Sequence, residues 1–382
     1  ALRCKVSMNN AQYHSAPAGK SSQFSDVYKV LHEAIVAKAF PGCAFGVLAN
    51  GTVVLQDAAG HFTYEDDSPL VTPESAYDVA SLTKVVATTA IAMLLHQRGQ
   101  LDLDSPLGEY LPAFVVGRAP GELAHFVTLR HLLAHSSGLP GYVEFFRTAG
   151  TPAALFRACL ELPVEATPGS RTEYSDPGFI LLGKTLEVIL GSYLAPWASR
   201  NIFDPLGMTS TEFCPAPAKR ERIPPTEIDE RFRNRRIQGE VQDEHAWLLH
   251  GAAGHAGLFS NVPDLLRFAA EILSSAKCSD RTRPGLFSAQ TIAEFAQRQG
   301  PDGSSRALGW DTPSEASSAG KHFSSRSIGH LGFSGCSLWI DLDASVAAVL
   351  LANRTWPDRQ DQLIREVRPA FHDAVREALA RI

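Results

Sequence analysis

Cys336-Ser337-Leu338-Trp339-Ile340-Asp341, followed after a short break by Val346-Ala347-Ala348-Val349-Leu350-Leu351-Ala352, decides how this chain folds. The second run is apolar from end to end and too short for a helix of its own, so it reads as a buried strand, with the first run pairing to it across a tight turn. Beyond them, Asp358–Arg381 carries Leu363, Val367, Phe371, Val375 and Leu379 at helical spacing, one face of a long amphipathic helix. The start of the chain mirrors this arrangement. Phe24–Phe40 places Val27, Val30, Leu31, Ile35, Val36 and Phe40 on a helical pattern that Pro41-Gly42 ends. Cys43–Leu48 and Val53–Asp57 then read as two strands joined by Asn50-Gly51, a strong hairpin signal. Helices at both ends with strands just inside them predict an α+β fold, its antiparallel sheet built from the two chain ends and flanked by the terminal helices.

The expected division is 23–80 plus 300–382 as the sheet-bearing part, 81–299 as a large, mostly helical insertion, and 1–22, polar and small, as a flexible N-terminal segment. A length of 382 residues, 45% hydrophobic and 20% charged, is that of a globular chain and excludes a disordered, coiled-coil or collagen-like one. A net charge of −6 leaves no basic footprint for nucleic acid, and the cluster Arg231, Arg233, Arg235 and Arg236 is interleaved with acids as a solvated stretch. The most apolar runs, Val85–Leu95 and Val346–Ala352, fall well short of the about 20 residues of a membrane span. The six cysteines, Cys4, Cys43, Cys159, Cys214, Cys278 and Cys336, are scattered without a C-x-x-C pair and read as buried thiols. The chain begins at Ala1, which implies that a leader such as a signal peptide was removed; Met8 as a native start is the other reading. A periplasmic or secreted location follows from the first and a cytoplasmic one from the second, and oligomeric state is left open.

The chemistry begins at Ser81-Leu82-Thr83-Lys84. A serine and a lysine three apart on a helix share a face, and a lysine held against a hydroxyl can take its proton, so a nucleophile arises without histidine. Ser274–Lys277 and Ser318–Lys321 have the same spacing, but one sits at the polar end of a helix and the other in a Ser/Ala/Gly-rich loop. Ser81 opens a buried helix running to about His96, with its N–H where partial positive charge favours an oxyanion; the plainer reading of Ser81 is a helix N-cap. Tyr174-Ser175-Asp176 precedes the helical pattern Phe179–Leu190, and a tyrosine near a lysine can serve as phenolate base or shuttle acid. Tyr64-Glu65-Asp66 repeats the pattern in an acidic loop. In Gly329-His330-Leu331-Gly332-Phe333-Ser334-Gly335, glycines beside a strand edge let a substrate come close, and an N–H there can complete an oxyanion hole.

In this order, and with His131-Leu132-Leu133-Ala134-His135-Ser136-Ser137-Gly138-Leu139-Pro140, Phe179-Ile180-Leu181-Leu182-Gly183, Gly254-His255-Ala256-Gly257-Leu258-Phe259-Ser260 and Leu351-Ala352-Asn353-Arg354, the chain resembles the serine β-lactamases of the class C type, the penicillin-binding proteins and their related esterases from about Phe24 to the C-terminus. The resemblance implies a β-lactamase/transpeptidase-like fold and acyl transfer through a serine ester. It implies Ser81 as nucleophile, Lys84 as its proton partner, Tyr174 as base in acylation and acid for the leaving group, and the N–H groups of Ser81 and Phe333 as the oxyanion hole, with His330 where many relatives carry lysine and Gly332 beside it at the substrate. Two departures stand out. Leu331 replaces the hydroxyl residue usual in the third motif, and Asp176 replaces a common Asn, putting a carboxylate where it can pair with Lys84. Both, with His330, favour a peptidase or esterase over an efficient β-lactamase. The competing class is a catalytically quiet protein of the same fold that holds a peptide or cell-wall fragment, against which the complete Ser81, Lys84 and Tyr174 argue.

No cofactor or metal is expected. His131 and His135 lack the glutamate of a zinc peptidase, Leu132 standing in its place, and His245, His250 and His255 lack ligand spacing, His255 reading as a loop-ordering residue near the cleft. The absence of a G-x-S-x-G elbow argues against an α/β-hydrolase. Trp247, Trp310 and Trp339 read as packing rather than cleft residues. The expected partner is a small-molecule or peptide substrate with a reactive carbonyl, without nucleic acid or membrane span.

Overall fold

The computed structural model describes residues 23–278 and 285–381. The segment 1–22 expected to be flexible lies outside them, as does Cys4. The elements that position the site are α1 (Ser25–Val36), β1 (Gly42–Ala49), β2 (Thr52–Gly60), α2 (Ala90–Gln97), α3 (Asp176–Leu190), α4 (Val262–Lys277), β3 (Ser327–Leu331), β4 (Ser337–Asp341), β5 (Val346–Ala352) and α5 (Ile364–Ala380). The strands form one antiparallel sheet in the order β2-β1-β5-β4-β3. Its centre joins the two chain ends: β1 pairs with β5 from Cys43 opposite Ala352 to Ala49 opposite Val346. Asn50 and Gly51, both at positive φ (50° and 78°), close the β1–β2 hairpin, the backbone that an Asn-Gly pair adopts most easily.

Both faces of the sheet are covered, which is why β5 is apolar throughout rather than alternating. On one face Phe45, Val47, Trp339 and Leu350 pack under α1 and α5 against Val27, Leu31, Phe371 and Val375. The Phe45 ring meets Tyr28 and Phe371 edge-on, with centroids 5.5 and 6.4 Å apart. On the other face Ala44, Leu48, Val349 and Leu351 pack against the helical part, including α2, α3 and α4. Burial of each such side chain is worth about 1.5–3 kcal/mol, so the two faces together fix the α+β architecture.

Details differ from the sequence reading where local packing intervenes. The last helix begins at Ile364 rather than near Asp358, because Arg354 uses the carbonyls of Arg359 and Asp361 as acceptors and holds that stretch out of a helix. The run from Ser81 is not one uniform helix: a 3₁₀ turn (Ala80–Leu82) and a π-helical turn (Lys84–Thr89) precede α2. Cys43, Cys159 and Cys336 are buried thiols as expected, but Cys214 is exposed and Cys278 half-buried, so the expectation holds for only part of the set. Trp310 and Trp339 belong to the core, while Trp247 is half-buried. Among the described residues no single helix is long and apolar enough to cross a membrane.

Candidate active site

The cleft lies where β3, the edge strand of the sheet, faces the turn carrying Ser81. Tyr77–Asp78 pairs with Leu258–Ser260, and the chain then reverses at Ala80, whose φ of 47° is left-handed. A non-glycine residue there costs about 1–2 kcal/mol. The buried Asp78 carboxylate holds the strained turn, accepting from Ala80 N at 2.9 Å and from Gln242 N at 2.7 Å. Burial pushes this carboxyl up to about 6, against the pull of those two hydrogen bonds. A 3₁₀ turn carries Ser81, and Lys84, three residues on, opens the π-helical turn on the same face and reaches back to the serine.

Lys84 is fully buried and its ammonium is fully engaged. It donates to Ser81 Oγ at 2.9 Å, to Asp176 Oδ1 at 2.7 Å and to the His255 carbonyl at 3.2 Å. Three donors meet three acceptors, which suits the charged form. Burial works against that charge, but Asp176, and then Tyr174, outweigh it and hold the lysine above its ordinary range. The ammonium also lies 4.8 Å from the centre of the Tyr174 ring and 5.6 Å from that of Phe179. Burial raises the Tyr174 phenol, although the Lys84 charge opposes it. The Ser81 hydroxyl caps neither the 3₁₀ turn nor the π turn, so the N-cap reading has no counterpart in the geometry.

Tyr174 and Asp176 enter the cleft from the start of α3, whose N-cap is Ser175. His135 fixes this corner: its Nδ1 accepts from Ser175 N at 3.0 Å, and its ring lies 4.4 Å from Tyr174 and 4.9 Å from Phe179, centre to centre. Burial depresses the His135 imidazole well below its usual range, so it is neutral and free to accept. His131 instead bonds Thr128 at the start of a short helix. Both histidines of this stretch are thus placed in structural contacts.

The opposite wall is β3 and the turn after it. His330 is buried, with Nδ1 2.8 Å from the Leu331 carbonyl and its ring 5.8 Å from that of Tyr174. Burial, then the charges of Lys84 and Arg306, keep it neutral. Gly332 is required by contact: a Cβ there would run into the Val79 carbonyl oxygen, two residues before Ser81. Its own carbonyl, and that of Cys336, accept from the buried Arg368 at 2.6 and 2.9 Å, and the Ser334 hydroxyl donates to the Asp78 carbonyl at 2.7 Å. These contacts clamp the turn that presents Phe333, whose N–H donates to no acceptor among the described residues. The Phe333 ring is about half exposed and lies under the Arg354 guanidinium at 4.3 Å.

Ser81, Tyr174, Asp176, His330, Gly332 and Phe333 therefore line one cleft of about 620 Å³, with Lys84 beneath it, a volume suited to a small molecule or a peptide end. Asp78, His135, Arg368 and the His255 carbonyl escaped the sequence reading as site-forming groups. His135, His255 and Arg368 lay in stretches marked there, but for other reasons, and their contacts at the cleft are tertiary. Arg306 and Arg365 also face the cleft, and among the described residues the one ion pair either makes is a loose one, Arg306 to Asp311 at 3.9 Å.

Residues 28–370 match the model of the Beta-lactamase family. A protein of Escherichia coli O157:H7 that carries the provisional name D-alanyl-D-alanine carboxypeptidase is 30% identical over 348 residues, covering 82% of this chain and 79% of that one. Among solved structures, EstCE1, described as a hydrolase with promiscuous acyltransferase activity, superposes with a TM-score of 0.70 at 22% identity, covering 92% of this chain and 100% of that one. Simvastatin synthase (LovD) from Aspergillus terreus gives 0.69 at 19% identity over 93% and 98% of the two chains. The chain belongs to the β-lactamase family and is a serine hydrolase.

Proposed function

We propose that this member of the β-lactamase family acts through an acyl-enzyme on Ser81, as a carboxypeptidase cleaving the amide before the C-terminal residue of a short peptide of the D-alanyl type. The observation that carries the mechanism is the Ser81 hydroxyl, 2.9 Å from a buried lysine that is itself pinned by Asp176. The substrate class is supported by the similarity to the carboxypeptidase-named relative over 82% of this chain and by the Arg306 and Arg365 side chains in the cleft, which suit a terminal carboxylate.

The reaction runs in two halves. Ser81 Oγ attacks the carbonyl carbon while its proton passes to the Tyr174–Lys84 pair. The oxyanion accepts from the Ser81 and Phe333 N–H groups, and Tyr174 returns the proton to the departing amine. Water then attacks the ester, with the same pair taking its proton and Ser81 recovering one. Both members of the pair sit above their ordinary ranges, so a proton must leave it before attack, and the rate of acylation rises toward alkaline pH. A second reading, an esterase, is favoured by Leu331, which removes a hydroxyl from the wall that would grip a carboxylate.

The test is intact-mass spectrometry of the protein mixed with a penicillin, followed over time beside Ser81→Ala. A stable adduct supports the carboxypeptidase, and a transient one with drug consumed supports lactam turnover. Absence of any adduct, together with turnover of simple esters, supports the esterase. An adduct that persists in Ser81→Ala rules out Ser81 as the nucleophile.

A further inference from the structure

Next to the cleft, outside the machinery described, three potential ligands converge. Asp243 lies in the cleft wall and caps the short helix Glu244–Leu248, its Oδ1 accepting from Ala246 N at 2.7 Å. His245 is the second residue of that helix and His255 is on the facing loop. One ligand atom from each of the three lies within 4.8 Å of the others. Nothing in their linear spacing marks them as a set; tertiary packing of the helix on the loop makes it.

The imidazoles are the second observation. His245 is 1% exposed and neither of its ring nitrogens has a hydrogen-bond partner, and His255, equally buried, leaves Nδ1 unpartnered. His245 is packed among Tyr142, Phe145 and Phe146, with ring centres 5.4 to 5.8 Å away. An imidazole enclosed by aromatic rings with both nitrogens unsatisfied costs about 1–3 kcal/mol unless something binds it. We propose that Asp243, His245 and His255 form a binding site for one divalent transition-metal ion of the zinc class, beside the active-site cleft.

The donor set gives the class. Two imidazoles and one carboxylate suit Zn²⁺ and its neighbours, whereas Ca²⁺ and Mg²⁺ take oxygen cages. Three protein ligands leave a fourth position, and of the three only Asp243 lines the cleft. Loading replaces a proton. His255 Nε2 now lies 2.7 Å from Asp243 Oδ1, the length of a hydrogen bond. Two atoms on a tetrahedral ion stand about 3.3 Å apart, so the pair opens by about half an ångström as the ring gives up that proton. The ion would depart from the metal-free protein expected from the sequence, and it rests on residues other than Ser81, Lys84 and Tyr174.

The test is titration of the metal-free, full-length protein with ZnCl₂ against a competing chelator. One ion is expected per chain. Binding should be weakened at least about 100-fold in His245→Asn and unchanged in Cys214→Ser, which removes the exposed thiol as a rival ligand. Ser81→Ala should bind as the parent does, which separates this site from the acyl-enzyme reading. Because His245→Asn can disturb packing, the ion is also to be located by anomalous scattering at the zinc edge in crystals of the unaltered protein. A peak between the three residues supports the site. No stoichiometric binding, equal affinity in His245→Asn, or a peak elsewhere overturns it.

Discussion

Replacing Asp176 with Asn removes the one negative charge that Lys84 touches and leaves the shape almost unchanged. At 2.7 Å and an effective dielectric constant of about 20, the gross attraction of the pair is about 6 kcal/mol. Much of it offsets the cost of burying the ammonium, and breaking a buried pair from one side costs about 3–5 kcal/mol. Asn keeps an acceptor oxygen toward Lys84, so the expected loss is about 3 kcal/mol at neutral pH. At about 2.1 cal/mol/K of unfolding entropy per residue, that lowers Tm by about 4 °C for a chain of 382 residues. The sign with pH is specific. Without Asp176, burial is opposed only by Tyr174, and the lysine falls below its unfolded value. The unfolded chain then binds more protons than the folded one between those two values, so the deficit of Asp176→Asn shrinks as pH rises toward about 10. The same change moves the acid limb of kcat/KM to lower pH, because the Tyr174–Lys84 pair sheds its proton more readily. The assays are calorimetric unfolding from pH 6 to 9.5 and hydrolysis of a chromogenic ester over the same range. A stability deficit that stays constant with pH, or an acid limb that stays in place or moves up, would refute the argument.

Two further substitutions probe the walls. In Gly332→Ala the new methyl meets the Val79 carbonyl, so the turn must move. A shift of about 1 Å in the Phe333 N–H should lower the rate of acylation by about 100-fold with unfolding lowered by no more than about 3 kcal/mol, and undiminished acylation would remove that N–H from the oxyanion hole. His135→Phe keeps the stack on Tyr174 and Phe179 but leaves Ser175 N–H buried without an acceptor. Urea unfolding should show a loss of about 1–3 kcal/mol with a lower kcat, and unchanged stability would exclude His135 as the anchor of that corner.

Short-range patterns carried most of the architecture. The Asn50-Gly51 turn, the apolar run Val346–Ala352 and the spaced apolar face of the last helix each fix a local element, and two chain ends of matching pattern suffice to predict a shared sheet. Ser81 and Lys84 were legible for the same reason, since three residues apart is a contact that one turn of backbone dictates. Tyr174, Asp176, His330, Gly332 and Phe333 were reached through motif order, and the structure gathers them in one cleft. What the linear chain could not express is which distant groups set the charge and strain of those residues. Lys84 stays an ammonium because Asp176, 92 positions away, and the His255 carbonyl, 171 positions away, close around it. The turn before Ser81 stays left-handed because Asp78 is held against Gln242. Hydrogen bonds and Coulomb forces act across a few ångströms of space, and only packing decides which residues come that near. Sequence alone determined the main elements and the meeting of Ser81 with Lys84; the tertiary fold decided the protonation of the lysine, the left-handed turn before Ser81, the placement of the wall at His330 and Phe333 and the meeting of Asp243, His245 and His255, because each depends on burial that no local spacing encodes.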